Sequence, residues 1–211
     1  MRKKERYDKI KEILDNEYPD AFCSLNYKKP HELLISTILA AQCTDKRVNE
    51  ITVSLYKKYP DIYSFANADF DELCEDIKSA GFFRSKAKNI ILCAKKIVSD
   101  FNGEVPRTLE ELTSLAGVGR KTAGVVLGDV FDTPSLVIDT HAKRLAKRMG
   151  FTKNSDPYKV ELDLAKFVPE KDKSFFCHQL VFHGRKYCIA RNPKCDICPV
   201  KEYCLYKTKG V

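Results

Sequence analysis

Four cysteines near the C-terminus, Cys188, Cys195, Cys198 and Cys204, follow the pattern C-x6-C-x2-C-x5-C. Thiolates are soft ligands, and four at this spacing can close a tetrahedral site. The pattern predicts a metal centre. Zinc is the commoner occupant of four-thiolate sites, and a [4Fe–4S] cluster takes the same ligand set, so the spacing alone leaves both open. The remaining cysteines, Cys23, Cys43, Cys74, Cys93 and Cys177, are scattered. The total is odd and residues 1–11 are charged rather than apolar, so neither secretion nor a disulfide framework is expected. Cys93 and Cys177 stand among apolar residues and are expected in the core.

A second constellation is Leu115-Ala116-Gly117-Val118-Gly119-Arg120-Lys121-Thr122-Ala123. One helix is expected to end at the glycines and another to begin at once. Glycines can take positive φ there, and the amides opening the second helix then point outward. Such amides, beside Arg120 and Lys121, suit an anion such as a DNA phosphate. A plain helix–helix turn is the competing reading. The third constellation is Val137-Ile138-Asp139-Thr140-His141. Asp139 reads as a helix N-cap or as a carboxylate facing Lys121 across a cleft.

Helices must position these groups. Ala87, Ile90, Ile91, Ala94, Ile97, Val98 and Phe101 follow a 3-and-4 spacing, with Gly103 beyond them. Val48, Ile51, Leu55 and Tyr59 mark another helix, with Asp45 as its expected cap. Thr108 and Glu111 have capping-box spacing. Residues 69–77, 121–131, 158–167 and 174–189 also read as helical. No stretch sustains period-2 alternation, and prolines fall between the periodic segments. The expected fold is all-α. No apolar run reaches the roughly 18 residues that a helical membrane span requires.

Charge points the same way as the hairpin. Lys and Arg number 37 against 29 Asp and Glu, a net of +8. The excess is concentrated toward the C-terminus, which suggests a polyanionic partner, although on charge alone a merely solvated surface is the stronger reading.

In combination these motifs resemble the endonuclease III family, DNA glycosylase/AP lyases of the helix-hairpin-helix superfamily. The resemblance runs through His31-Glu32-Leu33-Leu34-Ile35, Ala41-Gln42-Cys43-Thr44-Asp45, Gly81-Phe82-Phe83-Arg84-Ser85-Lys86-Ala87, Gly103-Glu104-Val105-Pro106, the hairpin, Ile138-Asp139-Thr140-His141, His183-Gly184-Arg185 and the cysteine tail. It implies a two-domain helix-hairpin-helix glycosylase fold. Residues 23–133 would form a helical bundle carrying the hairpin. Residues 1–22 with 134–211 would form the iron–sulfur domain, with DNA across the groove between the two. The cofactor it implies is a [4Fe–4S] cluster on Cys188, Cys195, Cys198 and Cys204.

The same resemblance makes Lys121 the nucleophile and Asp139 its partner. A catalytic amine must be neutral to attack, which a helix N-terminus and Arg120 would favour. Attack at C1′ of a flipped nucleotide gives a Schiff base, and β-elimination then cuts the strand 3′ to the abasic site. In related adenine glycosylases without lyase activity, the position resembling Lys121 is not lysine. Expected DNA contacts are Leu115, Gly117, Val118, Gly119 and Arg120 of the hairpin, Arg191 and Lys194 of the cysteine loop, and Gln42 and Phe82. The last two would fill the gap left by the flipped nucleotide. For Phe82, an aromatic where an aliphatic residue is usual, burial in the core is the competing reading.

Ala116, Gly124, Ala142 and Lys143 are further departures from the family pattern. His141 and His183 are expected to be structural. The implied activity is excision of oxidised pyrimidines. Alternatives are a glycosylase of the same superfamily for another damaged or mismatched base, a non-catalytic hairpin module with a zinc staple, or an iron–sulfur electron carrier. The expected partner is double-stranded DNA with damaged bases or abasic sites, with no membrane. The expected protein is a cytoplasmic, nucleoid-associated monomer.

Overall fold

The computed structural model describes residues 1–206. Among them are eleven α-helices and no strand: α1 (Lys3–Glu17), α2 (Pro30–Leu39), α3 (Asp45–Lys58), α4 (Ile62–Ala66), α5 (Phe70–Asp76), α6 (Phe83–Asp100), α7 (Leu109–Thr113), α8 (Arg120–Val130), α9 (Thr140–Arg148), α10 (Pro157–Ala165) and α11 (Lys173–Lys186). The chain divides into two compact units, Cys23–Thr133 and Met1–Phe22 with Pro134–Val211. No helix of the described residues is long and apolar enough to cross a membrane.

The Cys23–Thr133 unit is built around α2. Eight of its ten residues are buried, His31, Glu32 and Ser36 among them, as befits a central helix. Leu33, Leu34 and Leu39 are fully enclosed. Truncating any of them to Ala should cost roughly 2–5 kcal/mol. The 3-and-4 stripe of α6 faces this core through Ala87, Ile90, Ala94 and Ile97. In α3, Val48, Ile51 and Leu55 do the same. Its cap is Thr44, not Asp45: the Thr44 hydroxyl accepts from the Arg47 amide at 3.3 Å, and Asp45 is the first helical residue. A hydroxyl suits an N-cap as well as a carboxylate does, and Asp45 favours the helix dipole from the first turn.

The expected 69–77 helix is α5, with Asp69 as its cap accepting from the Glu72 amide at 2.9 Å. A single 3-10 turn, Lys78–Ala80, then leads to Gly81. Thr108 caps α7 by accepting from the Glu111 amide at 3.2 Å. The Glu111 carboxylate accepts from the Thr108 hydroxyl rather than completing a capping box.

In the other unit the N-terminal helix packs with the C-terminal half of the chain. Tyr7, Ile10 and Leu14 of α1 are buried with Phe151, Phe176 and Leu180. The Tyr7 ring meets Phe176 edge-on at 5.2 Å, and its hydroxyl donates to Asp172 at 3.0 Å. Helices α9 and α11 approach closely because α11 carries Gly184. A Cβ there would lie 2.6 Å from His141 Nδ1. Helix α11 stops at Lys186, three residues short of the expected end, and frees Cys188 from the helix.

Candidate active site and metal centre

The hairpin lies in the Cys23–Thr133 unit. Leu115 and Val118 are buried in its core, so what they can offer DNA is their backbone. The Val118 amide donates to Leu115 O at 3.2 Å and closes the turn. The two glycines do different jobs. Gly117 has φ +76, whereas Gly119 is extended at φ −93, so only the first uses the positive φ that glycine permits. Gly119 serves as the N-cap of α8. It has no side chain with which to cap, so the first amides of α8 keep their anion-binding capacity. Arg120 and Lys121 open this helix, and both are exposed at its mouth.

Asp139 lies in the other unit. It is the N-cap of α9, with Oδ1 accepting from the Ala142 amide at 2.7 Å. The cap fixes the carboxylate in place and engages one of its two oxygens. The N-cap reading of Asp139 is thus the one seen in the structure. Of the departures from the family pattern, Gly124 and Ala142 are buried, while Ala116 and Lys143 are half-buried.

Gln42 and Phe82 belong to the hairpin's unit and share an unusual backbone. Gln42 has φ +53 and Phe82 has φ +47, a left-handed conformation that L side chains seldom adopt. Phe82 is 68% exposed, which sets aside its burial in the core. The neighbouring Phe83 takes the packing role instead.

The four C-terminal cysteines come together. Cys188 follows α11. Cys195 opens one 3-10 turn and Cys198 closes it; Cys204 closes a second. All four line one cavity. A ring of thiols around a shared cavity suits a polynuclear iron–sulfur cluster, whose irons sit apart from one another. Burial pushes the Cys198 thiol up to about 11 and raises Cys195 and Cys204. Ligation to metal holds such sulfurs as thiolates despite that.

The surroundings are arranged for sulfur. Arg148 donates from Nη1 to Cys188 Sγ at 3.3 Å and to Ile189 O at 2.8 Å. His183 is fully buried, with Nε2 3.4 Å from Cys198 Sγ and Nδ1 3.3 Å from the Tyr18 hydroxyl. Burial pushes its imidazole down to about 4, so the ring is neutral and needs both neighbours. Arg191 and Lys194 project from the loop between the first two cysteines, and both are exposed.

Two residues escaped the sequence reading. Arg148 gave no local signal, since its partner Cys188 is forty residues away. Lys86 was legible in principle: it stands four residues before Ile90, on the apolar stripe of α6, where a lysine is out of place.

Residues 35–170 match the family described as HhH-GPD superfamily base excision DNA repair protein, and residues 188–204 match the iron-sulfur binding domain of endonuclease III. The chain is 48% identical to endonuclease III of Synechocystis sp., over 96% of this chain and 93% of that one. It superposes with a TM-score of 0.92 on a solved non-covalent endonuclease III–DNA complex, at 39% identity over 97% of this chain and 96% of that one. The same score, identity and coverage hold for a trapped endonuclease III–DNA covalent intermediate. Fold and hairpin thus define a helix-hairpin-helix base excision repair protein. Within that class the chain belongs to the endonuclease III family of DNA glycosylase/AP lyases, and its cofactor is a [4Fe–4S] cluster.

Proposed function

We propose that this enzyme excises oxidised pyrimidines from double-stranded DNA through a Schiff base on Lys121 and cuts the strand 3′ to the abasic site. The observation that carries the reading is the placement of Lys121. It is the second residue of α8, exposed, directly behind an N-terminus whose glycine cap leaves amides for a phosphate.

That placement supports the following chemistry. Backbone amides and Arg120 grip the strand, and the Lys121 amine attacks C1′ as the base departs. A stacked base shields this carbon, so the nucleotide must leave the helix first. Gln42 and Phe82 fill the space it vacates, the amide facing bases and the ring wedging between them. The Asp139 carboxylate stabilises the positive charge that develops on the sugar. Opening of the C1′–O4′ bond, with O4′ taking up the proton that the amine loses, turns the adduct into an iminium; this acidifies a C2′ proton, and loss of that proton expels the 3′ phosphate.

Cys188, Cys195, Cys198 and Cys204 hold the cluster. Bound there, it acts as a staple for a loop that presents Arg191 and Lys194 to phosphates. The enzyme works as a monomer on nucleoid DNA in the cytoplasm.

Borohydride trapping on a duplex with one abasic site tests the reading. The native protein should give a covalent adduct and Lys121→Ala none; trapping by Lys121→Ala at the native level overturns the assignment. A panel of duplexes, each with one modified base, tests the lesion class. Faster excision of an alkylated or mismatched base than of any oxidised pyrimidine would contradict it.

A further inference from the structure

Lys86 is 4% exposed although it carries an ammonium group. It donates to two backbone carbonyls, Leu39 O and Ala80 O, each at 2.8 Å. Both carbonyls end helical turns. Leu39 is the last residue of α2, and Ala80 is the last of the 3-10 turn before Gly81. Carbonyls at a helix C-terminus lack an intrahelical partner and carry the negative end of the dipole, so a cation is a fitting donor.

The residues just beyond each carbonyl give the contact its meaning. Three residues past Leu39 stands Gln42, and two residues past Ala80 stands Phe82. Both have positive φ without being glycine. Such a conformation persists only where the surrounding structure holds it. One buried ammonium thus grips the stems of both loops at once. The two loops are otherwise forty residues apart in sequence. Burial disfavours the charged form of Lys86. An apolar side chain would fill the same space without that penalty but could not reach two carbonyls.

We propose that Lys86 is a positioning residue that holds the Gln42 and Phe82 loops in register for filling the gap in the duplex. The proposal rests on the reading of Gln42 and Phe82 given above. Lys86 touches neither sugar nor base. It sets where the two tips stand.

The test compares borohydride-trapping rates of the full-length cluster-bearing enzyme on two probes under single-turnover conditions. One is a duplex with an abasic site; the other is the same abasic strand alone, which has no opposing bases to hold apart. Lys86→Met should slow trapping on the duplex by about tenfold or more and leave the single strand within about twofold. In a Gln42→Ala, Phe82→Ala background, Lys86→Met should add less than about twofold on the duplex, because the tips it positions are already gone. Lys86→Gln, which keeps an amide donor, guards against a variant that fails to fold and should show the same one-sided loss at smaller size. Equal losses on both probes, no loss on the duplex, or a fully multiplicative loss in the doubly substituted background overturns the proposal. Trapping by Lys121→Ala on either probe would instead overturn the nucleophile assignment.

Discussion

Gly117 and Asn89 stand so close that a Cβ on the glycine would lie 2.9 Å from Asn89 Cβ. The hairpin turn is therefore wedged against α6 at the one position whose φ of +76 calls for glycine. Gly117→Ala should lose roughly 1–3 kcal/mol from backbone strain, with a further loss from the contact, and should weaken DNA binding. Gly119 has ordinary φ and open space around it. Gly119→Ala should lose only about 0.5–1 kcal/mol, the difference between glycine and alanine at an N-cap. Chemical denaturation of the two variants checks the contrast, and equal stabilities would contradict it.

Asp139 combines a cap and a charge, and two substitutions separate them. Asp139→Asn keeps an oxygen for the Ala142 amide, so stability should change little while the glycosylase rate falls about 100-fold or more. Asp139→Ala should lose the activity and also about 1 kcal/mol of stability. Melting curves beside single-turnover rates decide the matter. Full activity in Asp139→Asn would reduce the residue to a cap.

Within residues 188–204 only Val200 is buried, so this loop has almost no apolar core of its own. A bound cluster should supply much of its order. Cys198→Ala should lose iron, acid-labile sulfide and the brown colour together, and DNA affinity with them. The core around α2 should persist, since its buried side chains lie in the Cys23–Thr133 unit. Retained iron with native DNA affinity would contradict the ligand assignment.

Asp163 gives a prediction in acid. The Thr152 hydroxyl, Lys166 and the Asn154 amide all donate to its carboxylate, and they hold its pKa down to about 2. The folded value lies below the unfolded one of about 3.9. Its stabilising effect is therefore complete above about pH 4 and disappears as pH falls through about 2. Asp163→Asn should be about 1 kcal/mol less stable at neutral pH, and the gap should close toward pH 2. A gap that stays constant or widens in acid would overturn this.

Much of the fold was legible in the sequence. The all-helical architecture could be read from apolar spacing, because amphipathic helices write their buried face at 3-and-4 intervals. Prolines and capping residues located most helix ends to within a few residues. Thr44 displaced Asp45 as a cap because adjacent capping-competent residues cannot be ranked without the backbone. The four cysteines were legible as a metal centre, and their tally of ligands did not choose between zinc and iron–sulfur. Arg148 was not legible, and Lys86 showed only as a lysine out of place on an apolar stripe, with no sign of its partners. A lysine or arginine in a helix reads as surface, and what buries each is a carbonyl or sulfur up to 47 residues away. The left-handed backbone at Gln42 and Phe82 was hidden for the same reason: neither is a residue type that announces positive φ.

The central claim is that a lysine amine of this chain bonds to the sugar. Reducing the complex with borohydride on an abasic duplex, digesting it, and sequencing the DNA-linked peptide by mass spectrometry locates the bond directly. The account predicts a single modified site at Lys121. A bond mapped to the N-terminal amine, to Lys86 or to any other lysine would contradict it.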